Sequence, residues 1–301
     1  MRILVTADLH YDIKRSREGT QKLAAEVCAA AADALVLVGD TAGADPGPMG
    51  DCLNLFAGFA GKKFLVPGNH CLWCHGQEDS LERYHVLLPE LAARCGFSLL
   101  DHSPAVMTGP SCDQAGRDVT VGLVGSIGWY DYGLAIESLG VPVDFYRAKV
   151  APGAADYFQE HRHLVEAHRP VLTQRHMEMS TRWMDGIRVR LGMSDEQFVE
   201  HLSGKLRTQL DELSPIVEQV VAFVHHLPFG ELVPQDRPDK FAFAAAYMGS
   251  QSLGDVLLAN PKVSHVYCGH SHWGDDRRIG HLRVINVGST YIDKRLAVLN
   301  I

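Results

Sequence analysis

The stretch ALVLVGD, residues 34–40, decides the fold class. Five apolar residues, rich in valine and leucine, stop at Gly39 and Asp40, which reads as a buried strand with a polar group at its exit. Upstream, residues 16–32 (SREGTQKLAAEVCAAAA) place apolar side chains at helical spacing, with Ser16 positioned to cap the start. Before them, residues 2–7 (RILVTA) form another short apolar run ending at Asp8. Downstream, a helix near 48–60 leads to a third run, KKFLV at 62–66, which stops at Pro67-Gly68-Asn69-His70. Strand, helix, strand, helix, strand is α/β order, and it gathers loops at the carboxyl ends of the strands.

The rhythm continues with a helix near 78–94, short β segments at 97–101 and 104–108, a polar turn at 109–118 and a strong strand, VTVGLVG, at 119–125. Residues 133–214 differ in character: they show helical periodicity and many His and Arg residues but little strand propensity. They are expected to form a helical insertion or lid within one domain spanning 1–301. A strand at 217–224 then ends at His225-His226, a helix follows at 250–259, and a strand at 263–268 leads into Gly269-His270-Ser271-His272. Runs at 281–287 and 294–301 close the sheet.

Composition narrows the function. With 301 residues and 46% hydrophobic content, the chain can bury a sizeable core. A formal charge of −8 offers no basic face for a polyanion, so long nucleic acids are disfavoured as partners. The seven cysteines are odd in number and several sit inside apolar patterns, as packed thiols do. The start runs straight into a strand without a secretory pattern, and no apolar stretch approaches the roughly 18 residues of a membrane span, so the expected location is cytoplasmic. Sixteen histidines, in pairs or beside Asp and Gly, are the first hint of metal.

The polar residues at the strand exits are Asp8 and His10, Asp40, Asn69 and His70, His225 and His226, and His270 and His272. Five exits each deliver a carboxylate, imidazole or carboxamide, while the strands themselves are apolar. Mixed oxygen and nitrogen donors suit Mn²⁺, Fe or Zn²⁺ better than Ca²⁺ or a thiolate zinc site. Two cations about 3.5–4 Å apart need a bridging carboxylate, and Asp40 is central enough to serve.

In their order along the chain, Asp8-Leu9-His10, Gly39-Asp40, Gly68-Asn69-His70, His225-His226 before Pro228, and Gly269-His270-Ser271-His272 resemble the calcineurin-like metallophosphoesterase superfamily. The resemblance implies a four-layer α/β sandwich of two mixed β-sheets flanked by helices. It implies that Asp8, His10, Asp40 and His272 bind one metal ion, and that Asp40, Asn69, His225 and His270 bind the other. His70 would then face the scissile phosphate, stabilising the transition state or protonating the leaving group. Of the adjacent histidines only one should coordinate; His225 is preferred as the first residue after the strand, with His226 left to touch a ligand or the substrate. The chain departs from the family pattern after His70, where an acidic residue is common and Cys71 stands instead. The implied activity is hydrolysis of small phosphate mono- or diesters, nucleotides included, by a metal-bridging hydroxide. A nuclease of the same fold, or a scaffold that has kept its metal site, is the alternative.

Other features invite plainer readings. Cys71-Leu72-Trp73-Cys74-His75 spells a haem-attachment or redox pattern, against which stands a packed loop beside the metal site. Trp129 and Tyr130 follow the strand at 119–125, where they would either stack on a substrate or anchor the insertion. His161, His163, His168, His176 and His201 lie in helical patterns rich in Arg and Glu, where solvated faces explain most of them, and nothing selects a phosphate clamp among Arg147, Arg162, Arg175 and Arg182.

Overall fold

The computed structural model describes residues 1–76, 78–112, 116–234 and 238–301. Its first strand, β1 (Arg2–Thr6), is followed by helix α1 (Lys14–Ala29), β2 (Ala34–Val38), α2 (Pro46–Asn54) and β3 (Lys62–Val66). Helix α1 starts two residues before the expected cap: Ile13 takes the cap position without a side-chain bond, and Ser16 lies buried within the first turn. Helix α2 starts as its sequence dictates, with Asp45 accepting from the Gly47 amide and Pro46 in the first turn, where its missing N–H costs nothing. A continuous helical stretch from Ser80 contains a π-turn at Arg83–Leu87 and ends in α3 (Leu88–Arg94).

Strands β4 (Ser98–Leu99), β5 (Ala105–Pro110) and β6 (Asp118–Ser126) come next. The polar turn expected at 109–118 includes residues 113–115, which lie outside the described residues. Between β6 and β7 (Gln219–Val224) the chain forms short helical turns and one long helix, α4 (Asp195–Leu213). Ser194 and Gln197 cap α4 reciprocally, Asp195 and Glu196 complement its dipole, and Phe198, Leu202, Leu206, Leu210 and Leu213 form its buried stripe. Helix α5 (Gln251–Ala259), β8 (Val263–Cys268), β9 (Asp275–Ile279), β10 (Leu282–Asn286) and β11 (Ala297–Asn300) complete the described elements used below.

Two mixed sheets result, β11-β1-β2-β3-β4 and β5-β6-β7-β8-β10-β9. Strands β1 to β4 pair in parallel, as do β6 to β8 and β10, whereas β11, β5 and β9 pair antiparallel at the edges. Alternation sorts the side chains into layers. Ile3, Val5, Val36, Val38 and Phe64 of one sheet meet Val121, Leu123, Val221 and Phe223 of the other. Leu4, Leu35 and Leu37 face α1 and α2, while Val220, Ala222 and Val224 face α4 and α5. This is the sandwich of two mixed sheets flanked by helices that the motifs imply. The charged edge strand β9, sequence DDRRI, went unrecognised because it lacks apolar alternation.

Among the described residues, no helix is long and apolar enough to cross a membrane.

Candidate metal centre

The parallel strands β1, β2 and β3 of one sheet and β7 and β8 of the other all point their carboxyl ends at one edge of the sandwich. The turns there are tightly wound. Asp8, His10, Asp40, His270 and His272 have positive φ, between 43° and 68°, and are five of the seven such non-glycine residues among those described. Asp and His tolerate this region better than most side chains, yet each such residue costs on the order of 1–3 kcal/mol, held in place by surrounding bonds. The Asp8 amide bonds to the Gly39 carbonyl, the His10 amide to that of Asp40, and the Gly269 amide to that of His225. Gly39 has φ +84°, and a Cβ there would overlap the His225 ring; a Cβ at Gly68 would overlap the Asp40 carboxylate. Close packing of turn on turn thus requires both glycines.

Three sets of donor atoms each lie within 4.8 Å of one another: Asp8, His10 and His272; His10, Asp40 and His70; and Asp40, His225 and His270. Nε2 of His10 is 3.1 Å from Nε2 of His272 and 3.6 Å from Asp40 Oδ2, while His225 Nε2 is 3.5 Å from Asp40 Oδ1. Hydrogen bonds fix the tautomers: His225 Nδ1–H donates to the Val38 carbonyl, and His270 Nε2–H donates to that of Tyr247. Held this way, the rings leave Nδ1 of His270, and Nε2 of His225 once it gives up its proton, as lone-pair donors. His10 Nδ1, Asn69 Oδ1 and His225 Nε2 are buried without a hydrogen-bond partner. The unpartnered Asn69 Oδ1 and His225 Nε2, with His10 Nε2 set between His272 and Asp40, offer the mixed oxygen and nitrogen donors that fit divalent or trivalent cations.

Electrostatics follow from burial. Asp8 is raised, because desolvation outweighs the nearby His272 and His225. Burial also works against the Asp40 carboxylate, but His70, His225 and His10 together outweigh it and hold the group well below the usual carboxylate range. Burial pushes His225 down, but Asp40 overcomes it and lifts the ring to about 9. Burial takes His10 and His270 well below the usual imidazole value and His226 down to about 3. Lys294, pushed down by burial to about 8, donates to the Asp8 and Thr290 carbonyls behind the site.

His70 stands at the mouth, its side chain 17% exposed, with Nε2 3.9 Å from Asp40 Oδ2 and its ring stacked 3.7 Å from Trp73. A cavity of about 500 Å³ opens beside Asn69, His70 and Trp73. Another of about 330 Å³ borders His270 and His272, and the two share Trp183, Phe241, Ala244 and Tyr291. Arg182 is the cation lining the larger one. All four candidate arginines have carboxylate partners: Arg182 pairs with Glu160 and lies over the Phe158 ring, Arg147 pairs with Glu196, Arg162 with Asp156 and Arg175 with Asp239.

The three expected substrate contacts all lie in the buried interior. His226, Trp129 and Tyr130 are fully buried behind the site, with His226 Nδ1 donating to Ile127, Trp129 to Asp195 and Tyr130 to Asp185. Their hydrogen bonds fasten Trp129 and Tyr130 to the segment joining β6 to β7, whereas His226 keeps Nε2 buried without a partner and its ring 4.2 Å from that of His270. Cys71 and Cys74 are buried free thiols, Cys71 pushed up by burial to about 11, so the loop is a packed one rather than a haem or disulfide site. Arg83 fastens it by donating to the Cys71 and Gly43 carbonyls. His176 is not solvated either: it is buried, capping a helical turn at Thr173 and bonding to Leu139. Sequence reading missed Asp185, Trp183, Tyr247, Tyr291 and Lys294, which adjoin the cluster without a motif of their own.

Residues 1–183 match the family model of calcineurin-like phosphoesterases. No curated protein matches the chain. Among solved structures, a phosphopantetheinyl hydrolase from Mycobacterium tuberculosis superposes with a TM-score of 0.67 at 17% identity, covering 96% of this chain and 89% of that one. GAP50, the anchor in the inner membrane complex of Plasmodium, gives 0.52 at 9% identity over 100% and 81% of the two chains. TT1561 of Thermus thermophilus gives 0.50 at 12% identity over 99% and 98%. These likenesses carry the fold. The family match, which spans more than half of the chain, carries more: this chain belongs to the calcineurin-like phosphoesterases, a metal-dependent family of phosphoester hydrolases.

Proposed function

We propose that the chain is a two-metal hydrolase of small phosphate esters, with Asp8, His10, Asp40 and His272 around one ion and Asp40, Asn69, His225 and His270 around the other. The observation that supports this reading is the chain of overlapping donor sets, Asp8, His10 and His272 linked through His10 and Asp40 to His225 and His270, with the neighbouring Asn69 Oδ1 and His225 Nε2 lacking a protein partner. Mn, Fe or Zn ions suit the donor set, and when bound they supply charge for the phosphoryl oxygens and a hydroxide nucleophile at neutral pH. The chain's own contribution is to hold donors in place and to bring His70 to the edge of the larger cavity, within reach of a leaving-group oxygen.

The walls favour a particular class of ester. Trp73, Trp183, Met184, Phe241 and Tyr291 line the larger cavity, and a single arginine accompanies them. Such walls suit one phosphate with an apolar or aromatic leaving group, mono- or diester, nucleotides among them. A net charge of −8 and the absence of a basic track among the described lining residues argue against polynucleotides.

Metal analysis and a panel of mono-, di- and cyclic phosphate esters with Mn²⁺, Fe²⁺ and Zn²⁺ test this reading. Hydrolysis of aryl phosphates by protein carrying about two ions per chain is expected. A reconstituted protein that holds no metal sinks the proposal, and preference for oligonucleotides with a steep salt dependence replaces it with a nuclease.

A further inference from the structure

Asp185 opens a single helical turn, Asp185–Arg188, within the segment that joins β6 to β7, and it is almost fully buried. Its Oδ1 accepts from Asn69 Nδ2 at 3.0 Å and from the Trp73 indole N–H at 2.6 Å. Oδ2 accepts from the Trp183 indole N–H at 2.8 Å, from the Tyr130 hydroxyl at 3.1 Å and from Asn69 Nδ2 at 3.2 Å. All four donors are neutral groups. A carboxylate buried on neutral donors is costly to keep, so its placement calls for a reason beyond packing.

The reason lies in what those donors touch. A carboxylate only accepts, so it forces the Asn69 amide to present Nδ2 to it and to turn Oδ1 the other way. That Oδ1 is buried and has no protein partner. Trp73 in turn stacks on His70 at 3.7 Å with an interplanar angle of 22°, and His70 Nδ1 is also buried without a partner. The indole held by Asp185 is therefore what faces the His70 ring. Backbone bonds from Cys74 to Arg188 and from Ser80 to Arg190 fasten the same two segments together.

We propose that Asp185 is a positioning residue: it aims the Asn69 carboxamide at a metal and, through Trp73, sets the plane of His70, so that the insertion completes the metal centre. This rests on the two-metal reading of the site. The test is calorimetric titration of Mn²⁺ into metal-stripped wild type and Asp185→Asn, with thermal unfolding of the metal-free proteins as the control for folding. Asp185→Asn is expected to bind Mn²⁺ roughly 10–100-fold more weakly. Added to Asn69→Ala, it is expected to cost less than about threefold more, since both changes act through one contact.

Equal Mn²⁺ affinity in wild type and a folded Asp185→Asn overturns the role of Asp185 and leaves the metal centre standing. A wild type that takes up no Mn²⁺ overturns the metal centre, and the proposal with it. Should Asp185→Asn fail to fold, Trp73→Phe decides: it keeps the aromatic face but loses the indole donor. A fall in kcat of about tenfold with a displaced pH profile, at unchanged Mn²⁺ affinity, supports the proposal. Unchanged kcat and profile overturn it.

Discussion

At the scale of single residues, each strand exit announces its chemistry because donor and turn former are neighbours in sequence. Asp8, His10, Asp40, Asn69, His225, His270 and His272 were legible for that reason, and the structure sets the donor atoms of all but Asn69 in overlapping groups within 4.8 Å, with the unpartnered Asn69 Oδ1 in the loop beside them. Asp185 was not, because it acts on Asn69 from 116 positions away and only folding creates the contact. For Trp129, Tyr130 and His226 the sequence left two roles open each, because a place after a strand says nothing about which way the ring turns; these rings turn inward, Trp129 and Tyr130 to Asp195 and Asp185 and His226 against His270. Two outcomes test the residues. His70→Ala is expected to lower kcat on an aryl phosphate by roughly 10²–10⁴-fold while Mn²⁺ affinity holds; parallel turnover and calorimetry check the split. The other concerns pH. In metal-free protein Asp40 lifts His225 to about 9 against the pull of burial, so near neutrality Nε2 carries a proton that a metal must displace. Mn²⁺ affinity is therefore expected to rise with pH, by up to about tenfold per unit, and to level off near the lifted value. Chelator competition across that range checks the slope, and a flat profile contradicts it.

At the scale of elements, the run at 34–38 became a strand within its bounds because nothing competes with five buried apolar residues, and those at 62–66 and 263–268 did so because each ends in a buried apolar triplet of strand-forming residues. Helix ends were less legible. Ser16 looks like a cap, but the buried contacts of Thr20, Leu23 and Val27 fix the helix, and they draw its start back to Lys14. Helix α4 is a stronger test of packing. Its upper residues Phe198 and Leu202 join the helices over one sheet, while Leu206, Leu210 and Leu213 pack against the other. Leu206→Ala truncates a residue only 1% exposed at that changeover and is expected to cost about 2–5 kcal/mol. Urea unfolding measures the loss, and a cost under about 1 kcal/mol would show that the helix is not anchored there.

At the scale of the whole molecule, the donors come from both sheets: Asp8, Asp40 and Asn69 follow strands of one, His225 and His270 follow strands of the other. Metal binding is confined to the folded chain, because no unfolded segment holds these groups together. Mn²⁺ at about 100 times its dissociation constant is expected to add about 2.7 kcal/mol and to raise the unfolding temperature by several degrees. Scanning fluorimetry with and without chelator checks this.

The meeting of the two sheets at that edge has a mechanical side as well. Between the sheets the interior is apolar and holds without help, but the carboxyl edge is a seam of tightly wound loops whose polar atoms look for partners. A cation spanning it acts as a clasp, stitching one leaf to the other where hydrophobic adhesion ends. Withdrawing it leaves the hinge side closed and frees the clasped side to breathe, so hydrogen exchange and protease nicking are expected to quicken first in the loops after β2, β3 and β8.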